Sequence, residues 1–123
     1  MGWEFTVLNA IQAHGVTPAG DALMPLISAI GNVGAIWVVL ALVLIATRRG
    51  RFDGVAIVIA LALAFVVCSV MLKPMVARTR PCDINTAVKL LVARPHDFSF
   101  PSGHTCAGFA AVAALYGMGN RLW

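Results

Sequence analysis

Two short segments of this 123-residue chain combine residue types that bind phosphate. The first places two cations, Lys73 and Arg80, seven residues apart, with Pro81 directly after the second. Seven residues make two turns of an α-helix, so on a helical or near-helical stretch both side chains project from one face and can close on one anion. Arg80 offers a planar fork for two phosphate oxygens, whereas Lys73 supplies a compact charge. We therefore expect Lys73 and Arg80 to bind the same phosphate group.

The second segment reads Pro101-Ser102-Gly103-His104 and opens an apolar run. Ser102 is a good N-cap residue, and Gly103 lets an anion approach the bare backbone. Helix N-termini bind anions through free N–H groups and the positive end of the helix dipole. His104 then lies in the first turn, where its ring can meet the same phosphate.

The two segments together resemble the first two signature motifs of the type-2 phosphatidic acid phosphatase family. These motifs are a Lys, six residues, then Arg-Pro, followed about twenty residues later by Pro-Ser-Gly-His. The resemblance covers about residues 24 to 123. It implies that Lys73, Arg80, Ser102 and Gly103 hold phosphoryl oxygens and that His104 protonates the leaving oxygen. It also implies metal-independent chemistry through a phosphohistidine intermediate.

The family's third motif, a Ser-Arg followed by the nucleophilic His and its orienting Asp, does not occur in residues 1–123. We therefore interpret residues 1–123 as one membrane domain, the N-terminal portion of a longer phosphatase domain. This portion alone is expected to bind phosphate weakly and to turn over lipid phosphate at the background rate. His96 is a poor substitute nucleophile, because its neighbour Asp97 is adjacent in sequence and adjacent side chains seldom face each other.

The composition places the chain in a bilayer. It is 60% hydrophobic and 11% charged, and its mean hydropathy is +0.89. Apolar stretches at about 24–47, 55–72 and 103–118 each approach the length that crosses a hydrocarbon core of about 30 Å, the third only marginally. The expected fold is an all-α membrane bundle with about three spanning helices. An interfacial amphipathic helix at 3–13 precedes them, with apolar residues at helical spacing.

Several positions should interrupt the regular helices. The sequence Gly31-Asn32-Val33-Gly34 predicts a weakened or broken helix, and close helix packing explains its small residues better than a ligand does. Pro74 predicts a kink just after Lys73. Residues 86–92 are expected to form one or two helical turns, capped by Asp83 or Asn85.

The charge pattern indicates lipid partners rather than nucleic acid. The net charge is +4, but the basic residues form no stripe and no aromatic residues are interleaved with them. We expect the partners to be a lipid phosphate substrate and membrane lipids; the oligomeric state is left open. The resemblance implies a bacterial-type cell membrane with the site on the extracytoplasmic side. The side with residues 73–100 has five Lys and Arg and the opposite side has four, so the positive-inside rule does not decide the orientation. Lys73 and Arg80 are set aside as site residues, and the dense cluster Arg48–Arg51 is assigned to the cytoplasm.

Other reactive residues carry weaker signals. No cofactor or metal site is expected, because the three histidines are scattered and the five carboxylates show no ligand spacing. Cys68 should be a buried thiol, and Cys82 and Cys106 are more readily interpreted as free thiols than as a pair. Arg78 is equally compatible with contacting a phosphate or headgroup and with solvation.

The sequence therefore predicts a membrane lipid phosphatase. Its substrate would be an isoprenoid diphosphate, such as undecaprenyl diphosphate, or a phosphatidyl phosphate. The alternative is a non-catalytic membrane module that keeps the phosphate-binding residues and binds anionic lipid phosphate only.

Overall fold

The computed structural model describes residues 2–86 and 89–122, and within them the side chains of all but residues 33 and 119–122. The described residues form helices and irregular segments without a strand, so the all-α prediction is confirmed. The α-helices are α1 Gly2–His14, α2 Pro18–Gly31, α3 Ala35–Ala46, α4 Arg51–Ala64, α5 Lys73–Val76, α6 Pro81–Ile84 and α7 Gly103–Leu122. A 3-10 turn, Asn32–Gly34, joins α2 to α3, and a π-helix, Phe65–Leu72, joins α4 to α5.

Helices α3, α4 and α7 form the packed centre of the bundle. Ala41, Ile57 and Ala111, one from each helix, are fully buried together. Gly54 lets α3 and α4 approach closely, since a Cβ there would lie 2.5 Å from the Ala41 carbonyl oxygen. Most large apolar side chains outside this centre are exposed, Leu63 and Phe109 among them. Such an apolar exterior is consistent with a helical membrane bundle surrounded by lipid or further helices.

The predicted break at residues 31–34 is confirmed. Helix α2 ends at Gly31, Gly34 adopts the left-handed conformation with φ 70°, and α2 and α3 meet at a bend of 48°. The start of this apolar element, expected near residue 24, was wrong. Helix α2 begins at Pro18 because the Thr17 side chain accepts a hydrogen bond from the Gly20 N–H and proline suits a first helical position.

The second apolar stretch is one continuous run of α4, the π-helix and α5. It begins at Arg51 rather than near residue 55. By length and composition the stretch Arg51–Ile84, which contains this run, can cross a membrane. Helices α2 and α3 qualify as a second span if the bent pair is one crossing. Among the described residues α7 does not meet the same test, so the third span stays a prediction.

The connection after α5 differs from expectation. The described part of the predicted helical turns, residues 86 and 89–92, is not helical; residues 87 and 88 lie outside the described residues. The helical turn lies earlier, at Pro81–Ile84, because Pro81 is favoured at a first helical position. It stops after Ile84 because the backbone of the next residue, Asn85, is extended. The following chain up to Ser102 is irregular over its described length.

Candidate phosphate-binding site

An open cavity of about 800 Å³ lies between α2, the π-helix, the irregular loop and the start of α7. All five residues predicted to act on phosphate line it. They are Lys73, Arg80, Ser102, Gly103 and His104. The structure therefore brings the predicted residues to one cavity, although the elements that do so differ in part from those expected.

Lys73 and Arg80 do not share a helix, contrary to the sequence-based expectation. Helix α5 ends at Val76, and Ala77 takes a left-handed conformation with φ 46°. Arg80 is extended, with φ −73° and ψ 144°, because the ring of a following proline disfavours the helical region. The two cations meet through the fold of the loop rather than through helical spacing.

The group that joins them is the Asp97 carboxylate. Lys73 Nζ donates to Asp97 Oδ2, and Arg80 Nη2 donates to Asp97 Oδ1 at 2.5 Å. Arg80 Nε also donates to the Asp97 carbonyl oxygen at 2.8 Å. The side chains of Lys73 and Arg80 are 13% and 26% exposed, whereas that of Asp97 is 50% exposed. Two largely enclosed cations are thus bridged by one carboxylate at their exposed side.

The same contacts set the protonation state of Asp97, which lies in the loop outside the apolar stretches. Hydrogen bonds from Lys73, then from Arg80, lower the pKa of Asp97 from its ordinary value of 3.8 to about 2. The carboxylate is therefore ionised throughout the neutral range, and both of its oxygens act as acceptors.

The start of α7 forms the opposite part of the site. Ser102 Oγ accepts a hydrogen bond from the Thr105 N–H at 3.4 Å, which confirms Ser102 as the cap. A Cβ at Gly103 would meet nothing within 4 Å, so no protein packing requires glycine there. The predicted use of Gly103, close approach of an anion, is sterically available.

His104 is exposed and packs against the break between α2 and α3. A Cβ at Gly31 would lie 3.1 Å from His104 Cδ2. The small residue at the end of α2 therefore leaves room for the imidazole, which agrees with the packing role expected for this segment. Among the described residues lining the cavity, His104 is the one histidine.

Arg78 forms an ion pair with a carboxylate of α1. Its Nη2 donates to both carboxylate oxygens of Glu4, at 2.7 and 2.8 Å. This ion pair joins α1 to the chain between Lys73 and Arg80. The predicted helix at the N-terminus is confirmed as α1, with Trp3 and Ile11 exposed.

The cysteines differ from expectation as well. Cys68 of the π-helix and Cys106 of α7 form a disulfide, with their Cα atoms 6.9 Å apart, and Cys82 is a free thiol. The interpretation of Cys68 and Cys106 as free thiols was wrong. Cys68 is separated from Cys106 by 38 residues, and no sequence spacing indicated this pairing. The bridge fixes the π-helix to the first turn of α7, two residues after His104.

Arg94 of the loop also lines the main cavity, but its own contacts are to other residues. Arg94 donates to the Cys82 carbonyl oxygen at 2.8 Å and lies 3.5 Å from Asp83. His96 lines a smaller neighbouring cavity of about 260 Å³ and not the main one. Within the described residues, no cluster of three or more His, Cys, Asp or Glu could hold a metal ion.

Sequence reasoning missed Asp97, Glu4 and Gly31 as neighbours of the site. For Asp97 a signal existed, because a carboxylate seven residues before His104 sits within reach of any cation gathered at that helix start. Pro81 likewise predicts an extended Arg80. The Glu4 contact joins residues 74 apart in sequence and carried no local signal.

Comparison with known proteins identifies the family of this chain. Residues 53–123 match the model of the PAP2 superfamily. An undecaprenyl-diphosphatase of Sulfolobus acidocaldarius is 32% identical over 89 residues, which cover 72% of this chain and 43% of that protein. The chain thus spans less than half of the length of this relative. No solved structure matches this chain. From its own sequence and these matches, the chain belongs to the PAP2 superfamily.

Proposed function

We propose that this protein is a membrane lipid phosphatase that binds the terminal phosphate of its substrate at Lys73, Arg80 and the start of α7. The observation that carries the proposal is the shared cavity, in which two cations, a capped helix N-terminus and one imidazole face the same space. Phosphoryl transfer needs mainly positioning and charge neutralisation, and these groups supply both.

In this mechanism Arg80 and Lys73 neutralise the phosphoryl oxygens, and the N–H groups around Gly103 bind a further oxygen. His104 donates a proton to the leaving oxygen. In-line displacement needs a nucleophile on the opposite side of the phosphorus, which the family supplies as a histidine. The second PAP2 histidine would form the phosphohistidine intermediate from outside residues 1–123.

The proposed substrates are an isoprenoid diphosphate, such as undecaprenyl diphosphate, or a phosphatidyl phosphate. The name of the Sulfolobus relative supports the first, and the apolar exterior around an open cavity that contains Lys73 and Arg80 suits either lipid. The test is phosphate release by the native protein from both lipids in detergent micelles. Release from neither lipid, with retained phosphate binding, would support the non-catalytic module instead.

We further propose that the cavity opens on the extracytoplasmic side of a bacterial-type cell membrane. Arg51 and Lys73 lie at opposite ends of the α4–π run, 22 residues or about 33 Å apart along a helix. A membrane-impermeant thiol reagent should label Cys82 in intact cells and should not label a cysteine at the exposed position Arg49. Labelling of Arg49→Cys alone would invert the orientation.

A further inference from the structure

The contact between Asp97 and the two cations has a bearing on which anions the site accepts. Asp97 uses one carboxylate oxygen for Lys73 and the other for Arg80. Two oxygens of a phosphate group would make the same two contacts, because a guanidinium and an ammonium bind either group by charge-assisted hydrogen bonds. The carboxylate therefore occupies the position that the phosphate needs.

We propose that Asp97 is an internal competitor for the phosphate: it weakens the binding of every anion, so that a doubly charged phosphate still occupies the site and a singly charged phosphodiester does not. This inference rests on the proposed function of Lys73 and Arg80 as the phosphate-binding pair. In the empty site the carboxylate holds both cations in place, and a substrate binds by displacing it.

Charge explains the selectivity. Lys73 and Arg80 together carry two positive charges, and the Asp97 carboxylate neutralises one of them. A dianion that replaces Asp97 neutralises both cations, whereas a monoanion only restores the charge balance that the carboxylate already provides. A phosphate that entered with Asp97 still in place would meet a like charge at hydrogen-bond distance. A phosphomonoester or diphosphate end group thus gains from the exchange, and a phosphodiester headgroup does not.

Burial indicates which partner moves. The cations are mostly enclosed and are held next to helical segments, whereas the Asp97 side chain is half exposed and lies on the irregular loop after residue 89. Displacement moves the carboxylate into water without opening the helix bundle. The selectivity has a clear use in a bilayer, where phosphodiester headgroups greatly outnumber any phosphomonoester and would otherwise fill a bare cation pair.

The test compares inorganic phosphate with dimethyl phosphate, at a pH where the first is a dianion and the second a monoanion. Dissociation constants are measured by titration calorimetry on the native protein and on Asp97→Asn. Because a competitor that must be displaced weakens both ligands by the same factor, we expect Asp97→Asn to bind phosphate and dimethyl phosphate each about tenfold more tightly, and dimethyl phosphate to bind measurably only to the variant. Asp21→Asn is the matched control, since Asp21 lies in the first turn of α2 and lines neither cavity.

Two further measurements keep the outcomes distinct. Asp97→Glu keeps the charge and should keep both affinities near those of the wild type, and in the wild type the carboxyl ¹³C signal of Asp97 should move on adding phosphate but not on adding dimethyl phosphate. Unchanged affinities for both anions in Asp97→Asn, with binding lost in Arg80→Ala, would overturn the displacement and leave the phosphate site standing. Equal phosphate binding by wild type and Arg80→Ala would overturn the proposed function itself. If Asp97→Asn does not fold, a static ¹³C signal in the wild type overturns the inference alone.

Discussion

The two ends of the α4–π run are built in opposite ways. At the end next to the turn after α3, Gly50 and Gly54 are buried, and a Cβ on Gly54 would lie 2.5 Å from a carbonyl oxygen of α3. The other end lies beside the start of α7, where a Cβ on Gly103 would meet nothing within 4 Å. Glycine at the first end permits helix packing, whereas glycine at the second leaves space. The closed end fixes how the helices sit, and the open end is free to receive a ligand.

The largest effect is expected from removing the imidazole at the open end. We expect His104→Ala to lower the rate of phosphate release by about 10²–10⁴-fold, the usual contribution of general acid catalysis. The measurement is kcat for lipid phosphate hydrolysis by the native protein.

His14→Ala is the matched control, because His14 ends α1 and is absent from the lining of the cavity. Its activity should equal that of the wild type. Equal activity of His104→Ala and wild type would mean that the chemistry does not belong to the open end.

The closed end is tested by Gly54→Ala. The added methyl group overpacks α3 against α4 and should destabilise the protein by about 1–3 kcal/mol. The shift is measured as a lower thermal unfolding midpoint in detergent.

Gly103→Ala is the counterpart at the open end. Its stability should lie within about 0.5 kcal/mol of the wild type, because the methyl group enters open space. Phosphate affinity should nevertheless fall, since that space is where the anion approaches the backbone. Equal destabilisation by both substitutions would contradict the contrast between the ends.

Arg80→Lys tests how the open end binds its anion. An ammonium cannot reproduce the two donors, Nε and Nη2, with which Arg80 binds Asp97. We expect phosphate to bind about tenfold more weakly, with little change in stability. The matched control is Arg49→Lys, at an exposed arginine of the other end, and it should leave phosphate binding unchanged.

The smallest expected effect is the titration of Asp97. Its pKa is lowered to about 2 in the folded protein, so its ion pairs contribute stability that is complete above about pH 4 and is lost as the pH falls towards 2. The carboxyl ¹³C signal should titrate near that lower value. Lys73→Met removes the largest cause of the shift and should move the midpoint back up towards 3.8.

The sequence was most informative where local chemistry decides the structure. Ser102 caps α7 and residues 31–34 break the first apolar helix, as their residue types predict. The apolar stretches gave the helices with errors of a few residues at their starts, because caps such as Thr17 and not hydropathy set those boundaries.

The site was only partly predictable from the sequence. Residue types identified Lys73, Arg80 and His104, but two-turn spacing explained the meeting of the cations by the wrong geometry, since Pro81 keeps Arg80 extended. Asp97 reaches the cations through an irregular loop, and the Cys68–Cys106 bridge joins two separate helical elements. Contacts of this kind depend on how loops and helices close in three dimensions, which periodicity does not encode.

The ion pair between Arg78 and Glu4 restricts how many times the chain can cross the membrane between these two residues. Its two contacts, 2.7 and 2.8 Å long, cannot join residues on opposite sides of a hydrocarbon core about 30 Å thick. The chain must therefore cross an even number of times between these residues. If the stretch Arg51–Ile84, which has the length and composition of a span, crosses once, the bent pair α2 and α3 must supply the other crossing rather than turn back as a re-entrant hairpin. Helix α1 would then share its side of the membrane with the mouth of the cavity.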